Sequence, residues 1–176
     1  MRTRLLLLAA AWAAPCAAQA IPFSQHGTVS QRVGVTDIVL EYNRPVARGR
    51  TLFGSSGLVK FDRVWHPGAD SATRVAFSRD VRIEGQPLAR GEYSLWLVPR
   101  ASGPWSVIFS KAARVFHQPY PGEGLDALRV DVTPEVGAHM ETLAFYFPIV
   151  ARDSTVLRLH WGTTVVPIRI RAPLPD

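Results

Sequence analysis

Residues 93–109 read YSLWLVPRASGPWSVIF: two runs rich in aromatic and branched residues, 93–98 and 105–109, held apart by Ser102-Gly103-Pro104. Each run is too short for a stable helix and has strand composition, and a Ser-Gly-Pro break is turn chemistry. The expectation is a pair of antiparallel strands. Working outward, residues 38–42 (IVLEY), 73–78 (TRVAFS) and 128–132 (LRVDV) alternate apolar with more polar positions, the period-two pattern of a half-buried strand. Further apolar runs lie at 143–149, 155–161 and 165–170. Glu84-Gly85-Gln86-Pro87, Arg90-Gly91, Pro121-Gly122-Glu123-Gly124 and Trp161-Gly162 punctuate them as turns. About nine strands are expected, with no helix-period stretch long enough for a βαβ crossover. The predicted fold is therefore all-β: a single-domain antiparallel β-sandwich, with a jelly-roll-like or open-barrel arrangement as the alternative.

One short helix is expected at 110–117, where Ser110 would cap KAARVF and Pro119 would end it. It leads into HQPYPGEG at 117–124, the longest irregular stretch. Phe116, His117 and Tyr120 set this loop apart from a disordered segment.

The first twenty residues, MRTRLLLLAAAWAAPCAAQA, carry a positive start at Arg2 and Arg4, an apolar run and an Ala-Gln-Ala end. That is the composition of a secretory signal peptide, and it predicts an exported protein, periplasmic or secreted, with a mature domain over 21–176. The apolar run is shorter than the roughly 20 residues that span a bilayer, so no transmembrane segment is expected after its removal. Pro15 directly before Cys16 disfavours lipid anchoring through that cysteine. Cys16 is the only cysteine, so the mature chain offers no disulfide, thiol nucleophile or thiolate metal site. A domain of this length buries roughly 70% of its unfolded surface, enough for one core without covalent staples. Loss of Arg2 and Arg4 lowers the formal charge from +6 to +4. In an exported chain that balance does not indicate nucleic acid as a partner.

Four stretches occur in an order that resembles a known family: YNRPVARGRTLFG at 42–54, VWHPGADSAT at 64–73, GEYSLWLVP at 91–99 and WSVIFSK at 105–111. Over about Val29 to Ile170 the chain resembles the exported bacterial family catalogued as domain of unknown function 2911. The resemblance brings no established activity with it. The frame of Trp65, Gly68 and Ala69 is similar to the family pattern, whereas members often carry Arg-Thr where this chain has His66-Pro67. A tryptophan followed by glycine is also common in them where Phe116-His117 stands here.

Two polar constellations deserve a place among candidate sites. In WHPGAD, His66 precedes Asp70 by four residues, but Pro67-Gly68 excludes the helix that would put them on one face. The expectation is a type II turn from His66 to Ala69, with Trp65 packed inward and Asp70 bonded to nearby backbone. His26, His117, His139 and His160 lie at no metal-binding spacing, so neither a metal nor a cofactor is expected. The second constellation is Arg44, Arg48, Arg50 and Arg63, whose planar guanidinium groups suit a carboxylate, sulfate or phosphate. Its alternative is that these arginines satisfy loop carbonyls and pair with nearby carboxylates.

Trp65, Trp96, Trp105 and Trp161 could in principle stack on sugar rings, but core packing is the expectation for each. Trp105 shares parity with Val107 and Phe109, and Trp161 with Leu157 and Leu159, so both point inward. GSSG at 54–57 lacks a nucleophile elbow around its serines. The functional expectation is a non-enzymatic module binding a small anionic or polar ligand, or a partner protein, around Arg44, Arg48, Arg50, Arg63, His66 and Asp70. The alternative is a hydrolase-like or metal-assisted enzyme using His66 and Asp70.

Overall fold

The structure, a computed structural model, describes residues 23–174. The segment read as a signal peptide, Cys16 included, lies outside the described residues.

The strands are β1 (Gln25–Val33), β2 (Thr36–Arg44), β3 (Arg74–Phe77), β4 (Val81–Ile83), β5 (Gln86–Leu88), β6 (Gly91–Val98), β7 (Trp105–Ser110), β8 (Asp126–Val132), β9 (Glu135–Val150) and β10 (Ser154–Arg171). They form a six-stranded sheet in the order β1-β2-β3-β6-β7-β8 and a four-stranded sheet in the order β5-β4-β10-β9, every pairing antiparallel. The protein is an all-β sandwich without a closed barrel. Its core lies between the inner faces, where Ile38, Leu40, Val75, Leu95, Leu97 and Val107 of one sheet meet Leu143, Leu157, Val166 and Ile168 of the other. Period-two burial in β2 places its odd-facing residues outward, as alternation requires.

The expected hairpin across Ser102-Gly103-Pro104 forms, with Leu95 opposite Phe109 and Leu97 opposite Val107. Glu84 and Gly85 make a two-residue turn between β4 and β5, with φ of 48° and 81°. Positive φ at both positions is the type I′ geometry that suits the twist of a hairpin. Pro87 is accommodated because β5 is an edge strand.

Three expectations are corrected. Residues 155–161 and 165–170 are one strand, not two: Gly162 takes φ 59° inside β10, and the register to β9 shifts on either side of it. The extra residues lie in β9, where Ala144 to Met140 faces His160 to Gly162 and Met140 to Val136 faces Gly162 to Thr164, so the ladder is irregular without ending. A Cβ on Gly162 would come within 2.7 Å of Leu52 Cδ1, so the missing side chain also makes room for Leu52.

The helix expected at 110–117 does not form. Six residues are too few to hold a helix by themselves, and the competing contacts are better. Ser110 ends β7, its hydroxyl receives the Ala112 amide, and Ser71 pairs with Phe116 in an extended bridge. Among the described residues the helical element is a single 3₁₀ turn, Glu123–Leu125.

Nor is the turn at His66–Ala69 type II. That geometry needs positive φ at Gly68, yet the left-handed residue in this loop is Asp70, at φ 59°. Instead the Gly68 amide donates to the His66 carbonyl at 3.0 Å, a three-residue γ-turn centred on Pro67, whose fixed φ suits it.

Candidate functional site

The register of β3 against β6 places Arg74 opposite Ser94. Continued backward, it would set Ser71 opposite Leu97. Trp65 sits there instead, exchanging two 2.7 Å backbone hydrogen bonds with Leu97, while Thr73 O accepts from Leu95 at 2.8 Å. Residues 66–72 thus leave the sheet and return to it at neighbouring positions. The departure point is fixed by aromatic packing. Trp65 stacks on Trp161 with centroids 6.1 Å apart and 12° between planes, and meets Phe53 edge-on at 5.7 Å.

The displaced backbone finds new partners in the loop after β7. The Ala72 amide donates to Val115 O at 2.9 Å and the His117 amide to Asp70 O at 3.0 Å, on either side of the Ser71–Phe116 bridge. From β2, Asn43 Nδ2 reaches the Ala69 carbonyl at 3.1 Å. Beneath both loops lies a small apolar patch on the outer face of the six-stranded sheet, formed by Trp96, Ile108 and Ala72 with Val98, Val115 and Tyr120 packed on it. Trp96 is therefore buried, at 1% exposure, but under the loops and not between the sheets. Its indole N–H is satisfied by Ser94 Oγ at 2.8 Å.

Between the two loops is a cleft of about 380 Å³ lined by Val64, Trp65, His66, Gly68, Ala69, Asp70, Trp96, His117, Gln118 and Tyr120. His66, 5% exposed, lies edge-on to Trp96 at 5.8 Å and stacks on His117 at 6.1 Å and 22°. His66 and His117, from separate loops, thus meet in space.

The hydrogen bonds settle the tautomers. Thr73 Oγ1 donates its one proton to Pro67 O at 2.7 Å, so toward His66 Nε2, 3.3 Å away, it acts as acceptor. His66 therefore carries its proton on Nε2 and a lone pair on Nδ1. Burial, and secondarily the neighbouring His117, lowers its pKa to about 3 and keeps it neutral. Among the described residues the fully buried side-chain polar atoms without partners are Thr36 Oγ1 and Arg158 Nε; His66 Nδ1 is not one of them, and His66 lines the cleft. His117 Nδ1 lies 2.7 Å from Asp70 O, an acceptor only, so in the neutral ring this nitrogen is the donor and Nε2 holds the lone pair. Asp70 accepts both His117 bonds through a carbonyl that its left-handed backbone presents.

Gly68 is required by space. A Cβ there would lie 2.8 Å from both His66 Nε2 and Thr73 Oγ1. Across the cleft, Tyr120 meets Trp96 at 5.3 Å and donates its hydroxyl to Asp126; burial first, then that bond, pushes the phenol up to about 12. Asp126 is also paired with Arg129 at 3.1 Å.

The four arginines lie apart from this cleft, none lining it. Arg44 Nε donates to Leu143 O at 3.1 Å. Arg50 closes its own loop through the Ala47 and Val46 carbonyls at 2.8 and 2.7 Å. Arg48 lies over the Phe23 ring at 4.6 Å, and Arg63 is exposed without an ion pair among the described residues. His66 and Asp70 share the cleft, but Asp70 bonds His117 and not His66. His117, Trp96, Tyr120 and Thr73 were not among the predicted site residues. The signal for three of them was the aromatic content of the irregular loop and the parity of Trp96 with Ser94 and Val98; no local pattern identifies Thr73. Among the described residues no three His, Cys, Asp or Glu side chains are grouped to hold a metal ion.

No curated protein and no solved structure matches the chain. A family model described as protein of unknown function (DUF2911) matches residues 24–170, nearly the whole described domain. The chain belongs to that family.

Proposed function

We propose that this protein is an exported, non-catalytic binding module that takes a small polar ligand in the cleft between the 66–72 and 111–122 loops. One observation carries the reading. Two histidines delivered by separate loops, and held by Thr73 Oγ1 and Asp70 O, keep one ring nitrogen each as a free acceptor beside Trp96. Orienting two imidazoles through second partners while leaving their other nitrogens unused is the arrangement of a prepared polar site. Export rests on the composition of the first twenty residues.

The test is untargeted mass spectrometry of small molecules retained by the mature protein purified from its native compartment, beside a His117→Ala variant. The expected result is a compound enriched on the wild-type protein and lost from the variant. Equal retention by both would overturn the reading.

A further inference from the structure

We infer that the ligand of the His66–His117 cleft is a protonated amine: a small organic ammonium bound through acceptors and an aromatic face. The inference rests on the binding reading above and names its ligand class. Polar groups on the cleft wall divide unevenly. His66 Nδ1 and His117 Nε2 offer lone pairs, because the other nitrogen of each ring is committed as a donor. Asp70 adds a carboxylate that forms no ion pair among the described residues. Tyr120 donates its hydroxyl away from the cleft, to Asp126, and so presents an oxygen lone pair. Gln118 supplies a side-chain donor to the wall, while the Trp65 ring is turned toward Phe53 and Trp161 in the core.

A site built almost wholly of acceptors selects a ligand that donates. An anion would meet lone pairs and a carboxylate, and would find no arginine or lysine in the lining. A polyol needs donors and acceptors in similar number, because each hydroxyl does both. An ammonium group donates three hydrogen bonds and accepts none, and its charge complements Asp70. The ring of Tyr120, half-buried on the cleft wall, is negative at the centre of its face and attracts a cation further. The contrast between the carboxylates sharpens the assignment. Asp126 is already matched by Arg129, whereas Asp70, on the cleft rim at φ 59°, has no cation of the protein's own.

Histidine-ring NMR of the full mature chain tests this with four probes: n-butylammonium, glycerol, inorganic phosphate and zinc. The expected result is that n-butylammonium alone shifts the His66 and His117 resonances saturably, and that Asp70→Asn weakens it at least tenfold. Asparagine tolerates left-handed φ, so this variant keeps the backbone while losing the charge. His117→Phe, which keeps a ring on His66, should abolish the response. Saturable shifts from glycerol or phosphate without n-butylammonium would overturn the amine assignment and leave the binding site standing. Stoichiometric zinc on both rings would overturn it in favour of a metal. No response to any probe, together with equal retention in the mass-spectrometric experiment, would remove the site altogether.

Discussion

His66 and His117 stack with ring centroids 6.1 Å apart and 22° between planes, one brought by the loop that leads into β3 and the other by the loop after β7. Neither ring reaches the other through local sequence. The contact exists because Asp70–Ala72 and Val115–His117 trade backbone hydrogen bonds outside the sheet.

The first consequence is in stability against pH. Folded His66 is neutral, with a pKa lowered from 6.5 to about 3 by burial and then by His117. In the unfolded chain it takes up a proton near 6.5, so below that pH the unfolded state binds the extra proton and folding weakens as pH falls. The loss levels off near 3, where the folded ring also titrates. At about pH 5 the cost is on the order of 2 kcal/mol. Urea unfolding at about pH 7.5 and 5 should show this loss in the wild-type protein and its absence in His66→Phe.

Gly68→Ala should be costly although the position has no positive φ to protect. The new Cβ, 2.8 Å from His66 Nε2 and Thr73 Oγ1, must push the imidazole off its acceptor. Overpacking of this kind costs about 1–3 kcal/mol. The measurement is the urea midpoint together with the His66 ring resonances, both of which should move.

Thr73 is fully buried, and its hydroxyl serves Pro67 O and His66 Nε2 at once. Thr73→Val keeps the shape but strands both partners, which should destabilise the protein by about 1–3 kcal/mol. Thr73→Ser restores the hydroxyl and should recover most of the hydrogen-exchange protection of the 66–72 amides. Equal protection in the two variants would contradict the role given to the hydroxyl.

Arg44→Ala deletes the bond to Leu143 O and the side-chain stem packed across Gly27. A loss of about 1 kcal/mol in unfolding free energy is expected. Phosphate titrations before and after the substitution should be indistinguishable; a phosphate affinity that fell with Arg44 would restore the arginine cluster as an anion site.

Where the fold was readable, one physical signal sufficed. Alternation in 38–42 and 128–132 sorts residues between core and surface, and those segments are strands with that burial. Glycine was ambiguous because it serves two purposes. At Gly85 it permits a turn, while at Gly162 it permits a left-handed residue inside a strand that continues, and only the partner strand distinguishes them. Residues 110–117 misled because Ser110 does receive a local amide, as a cap would, yet Phe116 pairs with a residue far away in sequence. The site was half legible for the same reason. His66 and Asp70 stand in one short motif, but the choice of which nitrogen carries a proton rests on Thr73 and on the Asp70 carbonyl, both fixed by tertiary contacts. The arginines drew notice by density; in the folded chain Arg44 and Arg50 hold backbone carbonyls.

The excursion at 66–72 joins the backbone ladder of the sheet at its two feet, Trp65 on Leu97 and Thr73 on Leu95. Between those feet the segment is clamped from outside: Asn43 holds Ala69, while Ala72 and His66 press on Trp96. A change of side chain in this loop is therefore felt in the outer face of the six-stranded sheet as well as in the cleft, and loop and scaffold vary together.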